Sequence, residues 1–413
     1  MNPLTTGLIH HPYIPPEGFA APQPAVHKAS TVIFPSVAAM RSTEWKDKTG
    51  YTYGLHGTPT TYLLEERLCA LEGGLHCVLV PSGLAAITVA SFAVLKAGDE
   101  VLIPDNAYNP GKVLAGGELG TFGVTHRFYD AMNPQDLADK ISPKTRLVWV
   151  EAAGSITLEF PDLCEQVRIC KAKGVLVALD NTWGAGIAFK PFDLMPGSGE
   201  TLAVDMSIHA LTKYPNGGGD VLMGSVMTRD DQLARRIKDT HMRFGLGVGA
   251  NDAESVLRGL PSILLRYQAH DAGARALAKW AEGRAEFAQV LNPALPESPG
   301  HVHWKALCGS DSGGDTGEGH SAGLFSVIFN ANYSQRQVDA FCDALKLFKL
   351  GYSWGGPMSL VVPYELAMIR PNWPQHLARG IIVRFSIGLE DVADLQADLA
   401  QALAVVRNVA ANC

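Results

Sequence analysis

Lys213 lies between two apolar runs of the sequence, a setting in which a lysine could act as a covalent amine. Apolar and polar residues alternate over residues 204–209, which predicts a half-buried strand, and residues 221–227 predict a second strand. Residues 215–219 between them read Pro-Asn-Gly-Gly-Gly and predict a turn. Burial between strands would lower the pKa of the ammonium group, as Schiff-base chemistry requires. A solvated lysine in a hairpin turn is the alternative, because lysine side chains are rarely buried.

Two positions at predicted strand ends could hold a ligand beside this lysine. The turn Ser82-Gly83-Leu84 leads from a strand into a helix, so its free backbone amides and the helix dipole suit a phosphate group. Asp180 ends a buried apolar run and could accept a hydrogen bond from a cationic ring nitrogen. An ordinary strand-to-helix turn and an aspartate that caps the next turn are the respective alternatives.

Two further side chains could complete such a site. Tyr108 follows a predicted strand and could stack on a flat ligand, although an aromatic ring at that place is often only packing. Arg384 stands in the apolar run 381–387 and needs an anion there. A substrate carboxylate and an internal salt bridge are both open as its partner.

This combination of groups is what pyridoxal phosphate needs from a protein. The cofactor needs an amine for its aldehyde, an acid beside its pyridinium nitrogen and a grip on its phosphate. The run Gly-Leu-Gly-Val-Gly at residues 245–249 does not follow a strand and lacks the G-x-G-x-x-G spacing of a nicotinamide site. We find no H-E-x-x-H or Walker motif, and the sequence predicts no metal site.

The elements that must position these groups alternate between strand and helix. Continuous apolar strands separated by helices predict an α/β fold with a mostly parallel sheet covered on both faces. Ligands bind such sheets beyond the carboxyl ends of the strands, where the candidate residues lie. The predicted strands are 77–80, 100–104, 147–150 and 174–179, and the predicted helices are 61–72, opened by a threonine N-cap, and 84–95.

The pattern changes along the chain and predicts three regions. Residues 1 to about 50 are rich in proline, which excludes helix and ladder pairing and predicts an extended arm, either disordered or laid over a neighbouring subunit. The arm region as a whole is expected to cover residues 1–60. A large cofactor-binding domain is expected over 61–258, and a smaller α+β domain over 259–413. The smaller domain has predicted strands at 323–329 and 380–388, predicted helices at 334–347 and 390–407, and a flexible glycine-rich loop at 309–319.

Composition excludes several classes of protein. The chain has 413 residues, 47% of them hydrophobic and 18% charged, with a formal net charge of −7 and no basic run, which argues against nucleic-acid binding. The longest strongly apolar run, Leu84 to Leu95, is too short to span a bilayer. Seven cysteines without a C-x-x-C pair, and the lack of a signal-peptide pattern, predict reduced thiols and a cytoplasmic location.

From about Tyr51 to the last helix the sequence resembles the Cys/Met-metabolism family of pyridoxal-phosphate enzymes. The resemblance rests on Asp205-Met206, Thr212-Lys213-Tyr214 and Gly217 around the lysine, on residues 154–159 and on residues 180–183. Two further runs, Tyr-Ser-Trp-Gly-Gly at 352–356 and Ile-Gly-Leu-Glu-Asp at 387–391, are similar to the β-lyase branch of the family. The resemblance implies the fold of type I pyridoxal-phosphate transferases, with a seven-stranded sheet.

The resemblance also implies a role for each candidate residue. Lys213 would bind the cofactor covalently and move the Cα proton, with Tyr108 and Tyr53 as further catalytic residues. Tyr53 would reach in from a neighbouring subunit, which implies a homo-oligomer: a dimer with shared active sites, usually a tetramer. The implied cofactor contacts are Lys213, Ser82, Gly83, Leu84, Tyr108, Asp180, Thr212 and Tyr53; the implied substrate contacts are Arg384, Ser353, Trp354 and Tyr352.

The implied reaction is α,β-elimination of the thioether L-cystathionine to homocysteine, pyruvate and ammonia. A relative that acts at Cγ and a lyase that cleaves cysteine or cystine are the alternatives. A catalytically weak homologue with an interaction role is a third. It is motivated by three departures from the family pattern at the phosphate: Leu55 for an arginine, Ala210 for a serine and Gly218 for a histidine. We hypothesise that His56 or an altered backbone compensates for them.

Overall fold

Two β-sheets organise the chain in the computed structural model, which describes residues 3–309, 319–370 and 372–408. Within these residues the first sheet has seven strands: β1 (His76–Val80), β2 (Glu100–Pro104), β3 (Thr125–Tyr129), β4 (Thr145–Glu151), β5 (Leu176–Asp180), β6 (Met206–His209) and β7 (Gly224–Thr228). The second has five: β8 (Phe287–Leu291), β9 (Leu324–Phe329), β10 (Lys349–Leu350), β11 (Leu360–Tyr364) and β12 (Ile382–Ser386). The predicted α/β fold is confirmed.

Helices cover both sheets and connect the strands. In chain order they are α1 (Pro3–Ile9), α2 (Val37–Ser42), α3 (Pro59–Glu72), α4 (Gly83–Val94), α5 (Asn109–Leu114), α6 (Pro134–Lys140), α7 (Leu163–Ala172), α8 (Asp231–Phe244), α9 (Ala250–Gly259), α10 (Ile263–Glu282), α11 (His301–Cys308), α12 (Gln335–Ala344), α13 (Leu366–Ile369) and α14 (Val392–Asn408). Among the described residues, no helix combines the length and the apolar character that crossing a membrane requires.

The first sheet is mostly parallel, as the continuous apolar runs predict. Its strand order is β1-β7-β6-β5-β4-β2-β3, and only β7 runs antiparallel to its neighbours, β1 and β6. The carboxyl ends of β4, β5 and β6 therefore meet at one edge, where the chain turns toward the candidate residues. The second sheet has order β10-β11-β12-β9-β8 and is antiparallel except for the pair β10–β11. Residues 310–318 of the predicted glycine-rich loop lie outside the described residues.

The strand before Lys213 is buried on both faces, so the prediction of a half-buried strand is wrong. Every residue of β6 is buried, including Ser207 and His209. Both polar side chains hydrogen-bond the buried carboxylate of Glu72 in α3, at 2.7 Å from Ser207 Oγ and 2.8 Å from His209 Nδ1. Burial opposes ionisation of Glu72, but the hydrogen bond with His209 lowers the pKa of the carboxyl. A remote acid thus explains polar residues in a buried strand.

The proline-rich arm contains helix, which contradicts the expectation of a wholly extended segment. Its proline-free run 37–42 forms α2, and Pro3 stands in the first turn of α1, where proline is tolerated. Leu8 of α1 is only 2% exposed because it packs into the core beside α3. The rest of the arm is mostly irregular, and Thr31 forms an isolated antiparallel bridge with Tyr53.

Helix α3 begins earlier than the sequence pattern suggested. Thr58 is the N-cap residue, Pro59 follows it, and the side chains and backbone of Thr58 and Thr61 form a reciprocal capping box. The prediction of a helix that starts at residue 61 is therefore wrong, because the earlier threonine and the proline already start the helix.

Candidate active site

A cavity of about 520 Å³ opens at the carboxyl edge of the first sheet. It gathers side chains from the ends of several strands and from the second sheet. Eleven of the twelve expected site residues line it: Ser82, Gly83, Leu84, Tyr108, Asp180, Thr212, Lys213, Tyr352, Ser353, Trp354 and Arg384. Tyr53 does not line it in this chain; its side chain is 46% exposed, beside Ser30.

Lys213 projects into this cavity from the loop between β6 and β7. Its Nζ donates a hydrogen bond to Ser353 Oγ at 2.9 Å and lies 5.5 Å from the centre of the Trp354 ring. Burial, together with the positive charge of Arg384, lowers the pKa of the amine to about 8. A nucleophilic or basic amine must be neutral, so this environment favours the form that reacts.

The depressed pKa predicts how the apoprotein takes up an aldehyde. With a pKa of about 8, the neutral fraction of the Lys213 amine rises from about 0.1 at pH 7 to about 0.9 at pH 9. The rate of pyridoxal-phosphate uptake, followed by absorbance, should therefore rise about tenfold over this range and then level off. A rate that keeps rising tenfold per pH unit up to pH 10 would mean that the amine has its ordinary pKa.

The turn before α4, where the sequence predicts phosphate contacts, lies at a helix N-terminus beside the lysine loop. Ser82 is the N-cap of α4 and accepts a hydrogen bond from the backbone of Ala85 at 3.0 Å. A Cβ on Gly83 would lie 2.7 Å from Ala210 Cβ, so only glycine lets this helix end approach the lysine loop so closely. Thr212 lies opposite, and its hydroxyl bonds the backbone of Met223 at 3.3 and 3.4 Å. Free amides at a helix N-terminus suit a phosphate group.

Filling this space should weaken phosphate binding. In Gly83→Ala the added methyl group must push apart the start of α4 and Ala210, and this moves the amide donors. We expect the dissociation constant for pyridoxal phosphate to rise about tenfold or more, which is about 1.4 kcal/mol, in an absorbance titration of apoprotein. Gly117→Ala is the matched control, since a Cβ at Gly117 meets nothing within 4 Å. Equal affinities in both variants would exclude the turn as the phosphate site.

Two carboxylates form the floor of the cavity. Glu151 and Asp180 end β4 and β5 and are direct partners in the strand register. Asp180 accepts a hydrogen bond from the Thr182 backbone at 3.0 Å, so it also caps the following turn. Burial raises the pKa of Asp180, and burial together with the charge of Asp180 raises that of Glu151 well above its usual range. A cationic ring nitrogen would relieve this repulsion, so the floor fits the pyridinium of the cofactor.

Glu151 was missed by the sequence analysis, although it had a signal. It follows the apolar run 147–150 in the way that Asp180 follows the run before it. Glu151 Oε2 accepts a hydrogen bond from the backbone nitrogen of Tyr108 at 2.9 Å. This contact holds the start of α5 and places the Tyr108 ring over the cavity beside Asp180.

Arg384 faces the same cavity without an acidic partner. Its Nη1 donates to the backbone oxygen of Ser155 at 3.0 Å, and its guanidinium lies 5.3 Å from the centre of the Tyr364 ring. Among the described residues no ion pair joins Arg384 to a carboxylate, which leaves the substrate alternative standing. Tyr364 was not predicted: it lies two residues beyond Val362, the register partner of Arg384, so it shares that face of the sheet.

The three departures from the family pattern lie in different surroundings. Ala210 abuts Gly83 at the phosphate turn. Gly218 lies beside Asp220, where a Cβ would meet Asp220 Oδ1 at 2.5 Å. Leu55 and His56 do not line the cavity of this chain; His56 is stacked on Trp45 at 3.9 Å and hydrogen-bonded to Thr52 at 2.8 Å. Any contribution of His56 to a phosphate site would have to be made in a second copy of the chain.

A buried ion-pair network supports the wall of the cavity. Arg370, 2% exposed, bonds the carboxylate of Asp105 at 2.8 and 3.0 Å and that of Glu159 at 2.7 Å. Glu159 also binds His376. Although burial opposes it, the bonds from His376 and Arg370 hold the pKa of Glu159 at about 2. Ile369, the residue before Arg370, lines the cavity, so the ion-pair network holds this part of the cavity wall in place.

Comparison with known proteins assigns the class. Residues 5–404 match the family model described as Cys/Met metabolism PLP-dependent enzyme, and the chain belongs to this family. It is therefore a pyridoxal-phosphate-dependent enzyme with the type I fold. Enzymes of the family act on amino-acid substrates and are typically oligomeric.

Individual relatives carry three different names. The cystathionine beta-lyase of Bordetella avium is 36% identical over 398 residues, which are 95% of this chain and 94% of that protein. The L-alanine/L-glutamate racemase of Wolbachia pipientis is 32% identical over 391 residues, which are 92% of this chain and 92% of that protein. A crystal structure of the cystathionine gamma synthase of Xanthomonas oryzae, in complex with aminoacrylate and cysteine, superposes with a TM-score of 0.85 at 28% identity and covers 98% of both chains.

Proposed function

We propose that this enzyme is a carbon–sulfur lyase that cleaves L-cystathionine by α,β-elimination. The observation that carries the proposal is that one cavity holds the Lys213 amine, the carboxylates of Glu151 and Asp180, and the Arg384 guanidinium, which forms no ion pair with a carboxylate of the described residues. Several relatives that match more than nine-tenths of the chain are named cystathionine beta-lyase, which supports this choice within the family.

Each side chain has a task in this reaction. Bound pyridoxal phosphate supplies the electron sink that stabilises negative charge at Cα. Arg384 binds the α-carboxylate of the substrate, with Ser353 and Trp354 beside it. Lys213 takes the Cα proton as a neutral amine and returns a proton to the departing sulfur as an ammonium. Asp180, in its ionised form, would accept a hydrogen bond from the protonated ring nitrogen of the cofactor.

The cofactor contacts follow from the same geometry. Gly83 and Leu84 offer backbone amides to the phosphate, Ser82 caps the helix beneath them, and Thr212 adds a hydroxyl. Tyr108 would stack on the ring of the cofactor. Overall, cystathionine and water give homocysteine, pyruvate and ammonia: the Cβ–S bond breaks, the thiol leaves with a proton, and water replaces the nitrogen as the three-carbon fragment hydrolyses.

Product identification tests this proposal. Purified enzyme loaded with pyridoxal phosphate should convert L-cystathionine to pyruvate and homocysteine, measured by chromatography of the keto acid and the thiol. Formation of 2-oxobutyrate and cysteine would identify a γ-lyase instead. Interconversion of L- and D-alanine without a keto acid would identify a racemase, the activity named for the Wolbachia relative. A colourless protein without turnover would support the weak homologue with an interaction role.

The remaining expectations concern assembly and location, and we propose them on the same basis. A second copy would insert Tyr53 into the site from the loop at residues 51–61, in a dimer that pairs into a tetramer. The region 1–60 would serve as the intersubunit arm, 61–258 as the large domain and 259–413 as the small domain. A cytoplasmic location accords with the six cysteines of the described residues, none of which forms a disulfide.

A further inference from the structure

All charged side chains among the cavity-lining residues belong to the end where Cα chemistry would occur. In the part of the chain that the structure describes, these are Glu151, Asp180, Lys213 and Arg384. The two acids are adjacent on neighbouring strands, Lys213 is bonded to Ser353, and Arg384 lies against Tyr364. Each of the four is already assigned to the cofactor or to the amino-acid end of a substrate.

The outer wall of the cavity is uncharged. Tyr352 is 83% exposed, and its ring lies 6.4 Å from that of Tyr364. Leu222, 72% exposed, stands on the loop that follows Lys213, and Pro110 and Ile369 complete this wall. None of these side chains offers an ion-pair partner to a substrate group that lies beyond the sulfur.

A second copy of the chain would not supply the missing charge through the loop assigned to it. From Thr49 to Leu64 the sequence has no lysine, arginine, aspartate or glutamate. Its one titratable group near neutrality is His56, and burial lowers the pKa of that imidazole below its ordinary value. Leu55 stands where an arginine would have provided a cation.

We propose that this enzyme favours L-cysteine thioethers whose sulfur substituent is apolar and uncharged over L-cystathionine. The inference rests on the proposed lyase function and specifies its substrate class. An apolar substituent gains from leaving water against Tyr352, Leu222 and Ile369, whereas the second ammonium and carboxylate of cystathionine find no partner there and must keep their hydration.

S-butyl-L-cysteine and L-cystathionine form a suitable pair of substrates, because their reacting halves are identical and only cystathionine carries distal charges. S-butyl-L-cysteine and water would give butanethiol, pyruvate and ammonia, with the same Cβ–S bond broken. With the holoenzyme we expect kcat/KM for S-butyl-L-cysteine to be about tenfold the value for L-cystathionine.

The possible results separate this inference from the proposed function. Pyruvate from neither thioether would overturn the lyase function itself. Pyruvate from both, with L-cystathionine equal or preferred, would retain the lyase and overturn the inference.

A charge placed on the outer wall should change the preference. Tyr352→Asp puts a carboxylate where the distal ammonium of cystathionine would lie, so the ratio of the two kcat/KM values should shift toward cystathionine at least about tenfold. Val302→Asp is the matched control: Val302 is a 67% exposed residue of α11 outside the cavity, and the ratio should stay unchanged. An unchanged ratio in Tyr352→Asp would show that this wall does not select the substituent.

Discussion

The Lys213→Ala variant should lose turnover by at least about four orders of magnitude, because the proposed mechanism gives this one side chain both the cofactor linkage and the two proton transfers. The structure leaves no obvious substitute: the other cation that lines the cavity among the described residues is Arg384, which cannot lose its proton at neutral pH. The visible absorbance of the bound cofactor, and its reduction by borohydride onto the protein, should disappear together. Turnover is measured as pyruvate release.

Two comparisons make this result specific. Lys279→Ala removes a lysine whose side chain is 76% exposed and which pairs with Glu282, so both absorbance and turnover should be unchanged. Circular dichroism of Lys213→Ala should match that of the wild type. Burial disfavours the charged form of this amine, so the folded protein gains no stability from it that the substitution could remove. Pyruvate release at a tenth of the wild-type rate would refute the assignment of Lys213.

The Arg370→Met variant should be destabilised by about 3–5 kcal/mol, the largest stability effect that we expect from one substitution in this chain. Arg370 is 2% exposed and pairs two carboxylates, those of Asp105 and Glu159. Methionine fills a similar volume but leaves both acids without their cation, and Glu159 has a side-chain exposure of 0%. Chemical unfolding followed by tryptophan fluorescence measures the loss.

The exposed pair Arg258–Glu254 provides the control for this substitution. The Arg258 side chain is 69% exposed, so Arg258→Met should change the free energy of unfolding by about 0.5 kcal/mol or less. If the two variants were equally stable, the Arg370 network would contribute nothing to the free energy of unfolding. The loss in Arg370→Met should be largest near neutral pH and shrink as the pH falls toward 2, because protonation then neutralises Glu159, whose pKa is about 2.

Most strands of the first sheet could be predicted from the sequence, because their apolar side chains are buried by the layers next to them. The central residues of β2 (101–103) and of β4 (147–150) are continuous apolar runs that are buried by the neighbouring layers. β6 could not be predicted in the same way, since the burial of Ser207 and His209 depends on Glu72, more than 130 residues earlier in the sequence. Local periodicity carries no information about such a remote acid.

The same distinction, between local pattern and remote contacts, separates the site residues that could be predicted from those that could not. Residues at strand ends, such as Asp180 and Lys213, follow from the rule that ligands bind at the carboxyl edge of a parallel sheet. Tyr364 and Arg370 escape that rule because they belong to the segment around β11 and α13 and reach the site only through tertiary packing. The proline content of the arm led to a wrong prediction of a wholly extended segment. Whether a helix forms depends on the position of each proline rather than on the number of prolines.

The reversed direction of β7 has a consequence for how this protein can be altered. Because β7 pairs antiparallel with β6, the segment 210–223 leaves the sheet and returns to it at the same edge. A parallel partner strand would instead have required a connection that crosses to the opposite edge of the sheet. The exposed tip of this excursion, residues 218–220, can therefore change in length without shifting a strand. Insertions and deletions there offer evolution and engineering a way to resize the entrance beside Leu222 while the reacting groups keep their places.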